Sequence, residues 1–186
     1  MNGTLSVCVF CGSRSAVATP FRTAATRLGT ILGEKGIDLV YGGGRIGLMG
    51  MLADATLAAG GRVIGIIPQF LHEIEIAHEG VQELVITKTM HERKEQMYRR
   101  SDAFVVLPGG LGTFDETVEV ATHIQLNRFR RPLILVDVDG YWQPLLDLVR
   151  HGVRAGFIGP ESLDIFTVVH RPEEVLDGIS RAQFTP

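Results

Sequence analysis

The stretch Pro108-Gly-Gly-Leu-Gly-Thr-Phe-Asp-Glu116 follows the apolar run Ala103 to Leu107 and opens a helix-length segment. Its glycines allow a sharp turn that bares backbone amides, and Thr113 adds a hydroxyl beside the positive end of the helix, so Pro108, Gly109, Gly110, Gly112 and Thr113 form a candidate anion cradle. Glu116 stands three residues after Thr113, the spacing of a capping box, and spacing alone favours that structural task for it. A second loop, Tyr41-Gly-Gly-Gly-Arg-Ile-Gly-Leu-Met-Gly50, follows the run Ile37 to Tyr41; Gly42, Gly44 and Gly47 satisfy G-x-G-x-x-G, with Gly43 between them. That pattern serves a phosphate at a helix N-terminus. An NAD site is not indicated, because the next apolar run ends at Ile67-Pro68-Gln69 without the acidic residue that would hold a ribose. No G-x-x-x-x-G-K-[ST] loop exists and the chain has three lysines, so an ATPase lacks its first requirement. A third loop, Gly12-Ser13-Arg14-Ser15, is either a further set of ligand-facing amides or a polar turn.

Met90-His-Glu-Arg-Lys-Glu-Gln-Met97 reads as helix, and positions 90, 93, 94 and 97 then share one face. Arg93 and Lys94 thus sit between Met90 and Met97. Either an anion meets them, or their stems cover the core while the charges reach water. Cys8 and Cys11 form C-x-x-C, but residues three apart in a strand point to opposite faces, so a redox pair or half of a zinc site is discounted. His72 and His78 read as loop or surface residues, and the six histidines show no metal-ligand spacing.

Elements able to position these loops are legible as seven short apolar runs, Leu5–Cys11, Ile37–Tyr41, Val63–Ile67, Leu84–Ile86, Ala103–Leu107, Leu133–Val136 and Phe166–Val169, mostly separated by helix-length segments. Strands apolar at nearly every position are buried on both faces, so the expectation is α/β: a single-domain, Rossmann-like, doubly wound parallel sheet with helices on both faces. In such a sheet ligands lie beyond the carboxyl ends of the strands, where the three loops stand. A length of 186 residues fits one domain, 1–186, with a loose tail at about 182–186 and a second loose segment around Gln69 to Gly80. A net charge of -3 argues against nucleic-acid and membrane-surface partners, and no apolar run is long enough to span a bilayer. A cytoplasmic protein is expected.

Three motifs in order, Tyr41-Gly-Gly-Gly-x-x-Gly-Leu-Met-Gly50, Met90-His-x-Arg-Lys-x-x-Met97 and Pro108-Gly-Gly-x-Gly-Thr-x-x-Glu116, resemble the Lonely Guy family of cytokinin riboside 5′-monophosphate phosphoribohydrolases, and the likeness runs from about Val7 to Ile158. The resemblance implies hydrolysis of an N6-substituted adenosine 5′-monophosphate to the free base and ribose 5-phosphate. It assigns Arg93 and Glu116 to the catalytic pair and Gly109, Gly110, Gly112 and Thr113 to the phosphate loop. Lys94, Met90, Pro108 and the loop Gly42 to Gly47 fall at nucleotide-pocket positions, with Ser13 beside them. It further implies a homodimer, a small-molecule substrate, and neither metal nor redox cofactor. None of Lys35, Lys88 and Lys94 stands in a recognisable pyridoxal Schiff-base context.

The segment Thr122-His-Ile-Gln-Leu-Asn-Arg-Phe129 departs from the family, many of whose members carry Trp after the threonine and Gly-x-His later. His123 is read as repacked at a subunit contact, and the departure bears on the preferred N6-substituent. Two other functions fit the same loops: a nucleotide or molybdopterin carrier without catalysis, and a nucleosidase acting on plain AMP.

Overall fold

A computed structural model describes residues 4–72 and 77–183. Seven strands alternate with helices in the order β1 (Ser6–Phe10), α1 (Thr19–Glu34), β2 (Asp38–Tyr41), α2 (Gly47–Ala58), β3 (Val63–Pro68), α3 (Gln69–His72), β4 (Glu83–Thr87), α4 (Met90–Arg99), β5 (Ala103–Val106), α5 (Leu111–Gln125), β6 (Leu133–Val136), α6 (Gln143–Arg154), β7 (Phe166–Val169) and α7 (Val175–Gln183). Short 3₁₀ segments at Val138–Gly140, Pro160–Ile165 and Pro172–Glu174 flank α6, β7 and α7. Every strand pairing is parallel, and the sheet order is β4-β3-β2-β1-β5-β6-β7. All seven apolar runs of the sequence are strands of this sheet.

Burial of the strands on both faces follows from their composition: β3, β5 and β6 are buried at every position. One face of the sheet packs Val7, Val9 and Cys11 under α1, α2 and α7, while the other packs Cys8 and Phe10 under α4, α5 and α6. Cys8 and Cys11 therefore lie on opposite sides of the sheet as free, buried thiols, and a shared disulfide or metal is geometrically out of reach. Close approach of α1 to α2 needs Gly29, where an added Cβ would meet the Ala55 Cβ at 2.9 Å. Among the described residues no helix is long and apolar enough to cross a membrane.

The order in which strands are added to the sheet reverses between β1 and β5. Strands β2, β3 and β4 build outward on one side of β1, and β5, β6 and β7 on the other. This is a topological switch point, and the loops leaving β1 and β5 diverge there to open a crevice.

The segment expected to be loose around Gln69 to Gly80 is partly ordered by tertiary contacts. Residues 69–72 form a helical turn, Ala77 bridges Gly44, and the amide of His78 donates to the Gly43 carbonyl at 2.9 Å. His78, read from sequence as a loop or surface residue, is buried and bonds Asp54 Oδ1 through Nε2 at 2.9 Å; its Nδ1 accepts the Gly80 amide at 3.2 Å. Residues 73–76 of that segment, and 184–186 of the expected tail, lie outside the described residues.

Candidate active site

The carboxyl ends of β1, β2 and β5 surround a cavity of about 600 Å³. Its floor and polar wall come from Gly12, Ser13 and Arg14 after β1, Gly42 after β2, Pro108 to Gly110 after β5, and Arg93, Thr113 and Glu116 from α4 and α5. Val17, Phe21, Leu48, Met49 and the Tyr141 ring supply apolar lining.

The glycine turn after β5 leads directly into α5. Gly110 is the N-cap, with extended backbone, and Leu111 is the first helical residue. Thr113 is thus the third residue of the helix rather than its cap, so the capping-box reading of Glu116 fails: a cap must precede the helix whose amides it satisfies. First-turn amides have no acceptor within a helix, and here they open onto the cavity. A Cβ on Gly109 would run into the Thr113 side chain, so that glycine is required by packing. Gly110 and Gly112 are different. An added Cβ at either would meet nothing within 4 Å, and neither has the positive φ that demands glycine. Packing does not explain these two glycines, which leave open space beside bare amides.

Helix α4 carries the cation. Thr89 caps it, accepting the Glu92 amide at 3.1 Å, while the Glu92 carboxylate accepts the Lys88 amide at 2.9 Å. Arg93, one turn in, is 6% exposed and points under the sheet ends, where Nε donates to the Ile66 carbonyl at 3.0 Å and Nη2 to the Gly42 carbonyl at 3.1 Å. Nη1 lies 3.9 Å from Met90 Sδ and 3.7 Å from Glu116 Oε1. Glu116 is 7% exposed. A guanidinium carries five donors in a fixed fork; two of them fasten it to the strand ends and the rest of the head faces a carboxylate across the cavity. Gly42 makes this seat available, since a Cβ there would overlap Arg93 Nη2 and reach Met49 Sδ at 3.0 Å.

Not every expected position reaches the cavity. Ser13, Gly42, Arg93, Pro108, Gly109, Gly110, Gly112, Thr113 and Glu116 line it, whereas Gly43, Gly44, Gly47, Met90 and Lys94 do not. Gly47, at φ 69°, is where the first two loops touch, since a Cβ there would strike the Ser13 backbone. The α2 terminus is already engaged, because the Leu48 amide donates to the Gly12 carbonyl at 3.0 Å. The loop matching G-x-G-x-x-G follows β2 instead of β1, so most of it buttresses the switch-point loops. Lys94 turns to α5, pairing with Asp115 at 3.0 Å and with Glu119. Partial burial lowers its pKa, but the hydrogen bonds it donates to the Glu119 and Asp115 carboxylates, with their charges, outweigh that and raise it. His123 stands outside the cavity, stacked on Phe129 at 4.7 Å and 3.9 Å from Glu119.

Tyr141, Val17 and Phe21 were not singled out from the sequence, whereas Leu48 and Met49 stand in the motif that ends at Gly50. Tyr141 follows the turn after β6, a fourth loop beyond the carboxyl end of a strand, where ligands gather in such a sheet. Phe21 carries no local signal, because a helix face turned to a cavity reads like one turned to the core, and Val17 is a lone apolar residue in the loop before α1. Burial, with the Glu116 carboxylate adding to it, holds both cysteine thiols above their ordinary range, so Cys11 at the cavity floor stays neutral. Among the described residues no three His, Cys, Asp or Glu side chains come together to hold a metal ion.

The family described as "Possible lysine decarboxylase" matches residues 49–179. A probable cytokinin riboside 5′-monophosphate phosphoribohydrolase of Oryza sativa subsp. japonica, LOGL3, is 45% identical over 170 residues, covering 91% of this chain and 81% of that one. The cytokinin riboside 5′-monophosphate phosphoribohydrolase LOG7 of Arabidopsis thaliana is 43% identical over 170 residues, covering 91% and 78%. Among solved structures, a molybdenum cofactor binding protein from Rippkaea orientalis superposes with a TM-score of 0.73 at 20% identity, covering 97% of this chain and 98% of that one. The Moco carrier protein of Chlamydomonas reinhardtii gives 0.72 at 18%, covering 99% and 100%. At those identities the structural likeness speaks for the fold alone. Identity above 40% across nine-tenths of the chain says more, and by it this chain belongs to the LOG family.

Proposed function

We infer that this chain hydrolyses the N-glycosidic bond of cytokinin riboside 5′-monophosphates, N6-substituted adenosine 5′-monophosphates, releasing the free base and ribose 5-phosphate. The observation that carries the reading is the convergence of Arg93 and Glu116, from separate helices, to 3.7 Å in a cavity whose other end is a bare-amide glycine turn. Breaking a ribosyl C–N bond builds positive charge on the sugar, and a carboxylate at the anomeric carbon stabilises that charge and orients the attacking water. Water's oxygen joins C1′, the bonding pair leaves with the base nitrogen, one water proton stays on the new C1′ hydroxyl and the other ends on the base nitrogen. Glu116 fills the carboxylate role. Arg93 sets a positive charge beside the Glu116 carboxylate and has donors left for the ribose or its phosphate. The phosphate rests on the neutral amides of Gly110 to Gly112 and on Thr113, away from Glu116, because like charges repel strongly in a cavity shielded from water. Ser13 and Gly42 border the nucleotide; Met90, Gly43, Gly44 and Gly47 support it from behind, and Lys94 does so through α5.

A carrier would need the glycine turn but not a buried carboxylate facing a guanidinium, and this favours the enzyme over the carrier. As for decarboxylation, Lys94 is held by two carboxylates of α5 instead of facing the cavity. One nucleotide-binding domain in the cytoplasm is the matching cellular picture. Leu111, Phe114 and Val118 form an exposed apolar stripe on α5 beside the cavity, which supports a homodimer with the site near its interface.

Incubating the protein with N6-isopentenyl-AMP, AMP and N6-isopentenyladenosine, with free base measured by chromatography, tests the reading. Base is expected from the N6-substituted monophosphate and not from the riboside. Release from AMP at equal efficiency would make the enzyme a general nucleosidase, and no release from any of the three would leave the carrier.

A further inference from the structure

We propose that Tyr141 is a positioning residue that locks the glycine turn in its phosphate-accepting orientation, and so sets the preference for phosphorylated over unphosphorylated ligands. The inference rests on the reading of that turn as the phosphate site.

The peptide between Gly109 and Gly110 has no side chain on either flank to hinder its rotation. A half-turn would exchange an amide N–H for a carbonyl oxygen at the cavity wall, replacing an attraction for phosphate with a repulsion. Two contacts oppose it. The Gly12 amide donates to the Pro108 carbonyl at 3.1 Å, continuing the β1–β5 pairing past the end of the strands. The Tyr141 hydroxyl then donates to the next carbonyl, that of Gly109. In a trans peptide the carbonyl and the following N–H point in opposite directions, so with the Gly109 oxygen drawn to the phenol, the Gly110 N–H must face away from it.

Tyr141 is itself rigidly aimed. Asp139 and Gly140 both have positive φ, 52° and 72°, so the chain folds back sharply after β6. The Tyr141 amide donates to the Val138 carbonyl at 3.1 Å. Its ring meets Phe21 edge-on at 5.7 Å and Trp142 at 5.1 Å, and the Trp142 amide donates to the buried Asp137 carboxylate at 2.7 Å. The cavity's phosphate end is thereby coupled to β6, a strand that contributes nothing else to the lining.

The test is Tyr141→Phe, which keeps the ring and its edge contacts and removes only the hydroxyl. Affinities for AMP and adenosine are measured by calorimetry on wild type and variant, together with kcat, KM and thermal stability. The wild type should bind AMP far more tightly than adenosine. In the variant that ratio should shrink about tenfold, the worth of one well-oriented hydrogen bond to a charged group, with KM rising more than kcat falls and adenosine affinity unchanged. A wild type without preference for AMP would sink the phosphate-site reading itself. A wild type with the preference and a variant that keeps it would overturn only the role of Tyr141. A variant that weakens both ligands equally, or does not fold, would also overturn it, by giving the hydroxyl a purely structural task.

Discussion

Replacing Gly42 by alanine isolates the seat of Arg93 from every other feature of the site. The backbone at Gly42 does not adopt the positive φ that excludes alanine, so the substitution brings no intrinsic strain. What it brings is a methyl group overlapping Arg93 Nη2, hemmed in from the other side by Met49 Sδ at 3.0 Å. The guanidinium must then give up its 3.1 Å bond to the Gly42 carbonyl and move by roughly 1 Å, a displacement comparable to those that cost about 100-fold in rate when a reacting group is misplaced. Loss of one buried, charge-assisted hydrogen bond costs about 1.5–3 kcal/mol. For a chain of this size that lowers the melting temperature by about 3–12 °C. Calorimetric melting and base release from N6-isopentenyl-AMP measure both effects. The cause is separable by a double-mutant cycle with Arg93→Ala, because without the guanidinium there is nothing for the methyl to displace. Gly42→Ala should then cost almost nothing further, giving a coupling of about 1–3 kcal/mol. Additive effects, or a single variant that melts and turns over like wild type, would refute this account of how Arg93 is held.

Glu116→Gln should lower kcat by about 10²–10⁴-fold, the usual contribution of a positioned acid or base, while AMP affinity by calorimetry changes little; equal loss of both would mean the carboxylate is structural. Gly112→Ala should leave folding intact or raise the melting temperature, since its Cβ meets nothing and alanine is the better helix former by about 1 kcal/mol, yet raise KM for the monophosphate about tenfold or more. An unchanged KM would remove the phosphate from that turn. Native Cys8 and Cys11 should resist alkylation at pH 8 and react freely in denaturant. Their thiols are raised by burial, so as pH climbs past the ordinary value of 9.0 the unfolded chain releases protons that the folded chain retains, and stability should fall from there upward. Titration of the denaturation midpoint from pH 7 to pH 10.5 would show it, and a flat profile would contradict it.

The strands were legible because burial on both faces leaves no choice of residue type: β1, β2, β3, β5 and β6 read as nearly continuous apolar runs, and each is a strand. The glycine loops were legible for a related reason, since close approach at Gly42, Gly47 and Gly109 leaves no room for a side chain. Pairwise spacing was a poorer guide. Thr113-x-x-Glu116 has the form of a capping box, but the helix begins two residues before Thr113, and the box that caps a helix here is centred on Thr89 and Glu92. A local pattern cannot say which turn it belongs to when the helix start is set by a glycine turn packed against Thr113. His78 likewise looks like a loop histidine until the bridge between Gly44 and Ala77 buries it.

Composition and periodicity by themselves determined a parallel, doubly wound sheet with glycine loops at its strand ends, because the hydrophobic requirements of two-sided burial are written residue by residue along the chain. Only tertiary structure decided that Arg93 leaves the face it shares with Lys94 in sequence, reaching under β2 and β3 to face Glu116, while Lys94 pairs with Asp115 and Glu119. The two cations are neighbours on one helix, and what separates them is which partners the packing of α4 against the sheet and α5 brings within reach of each.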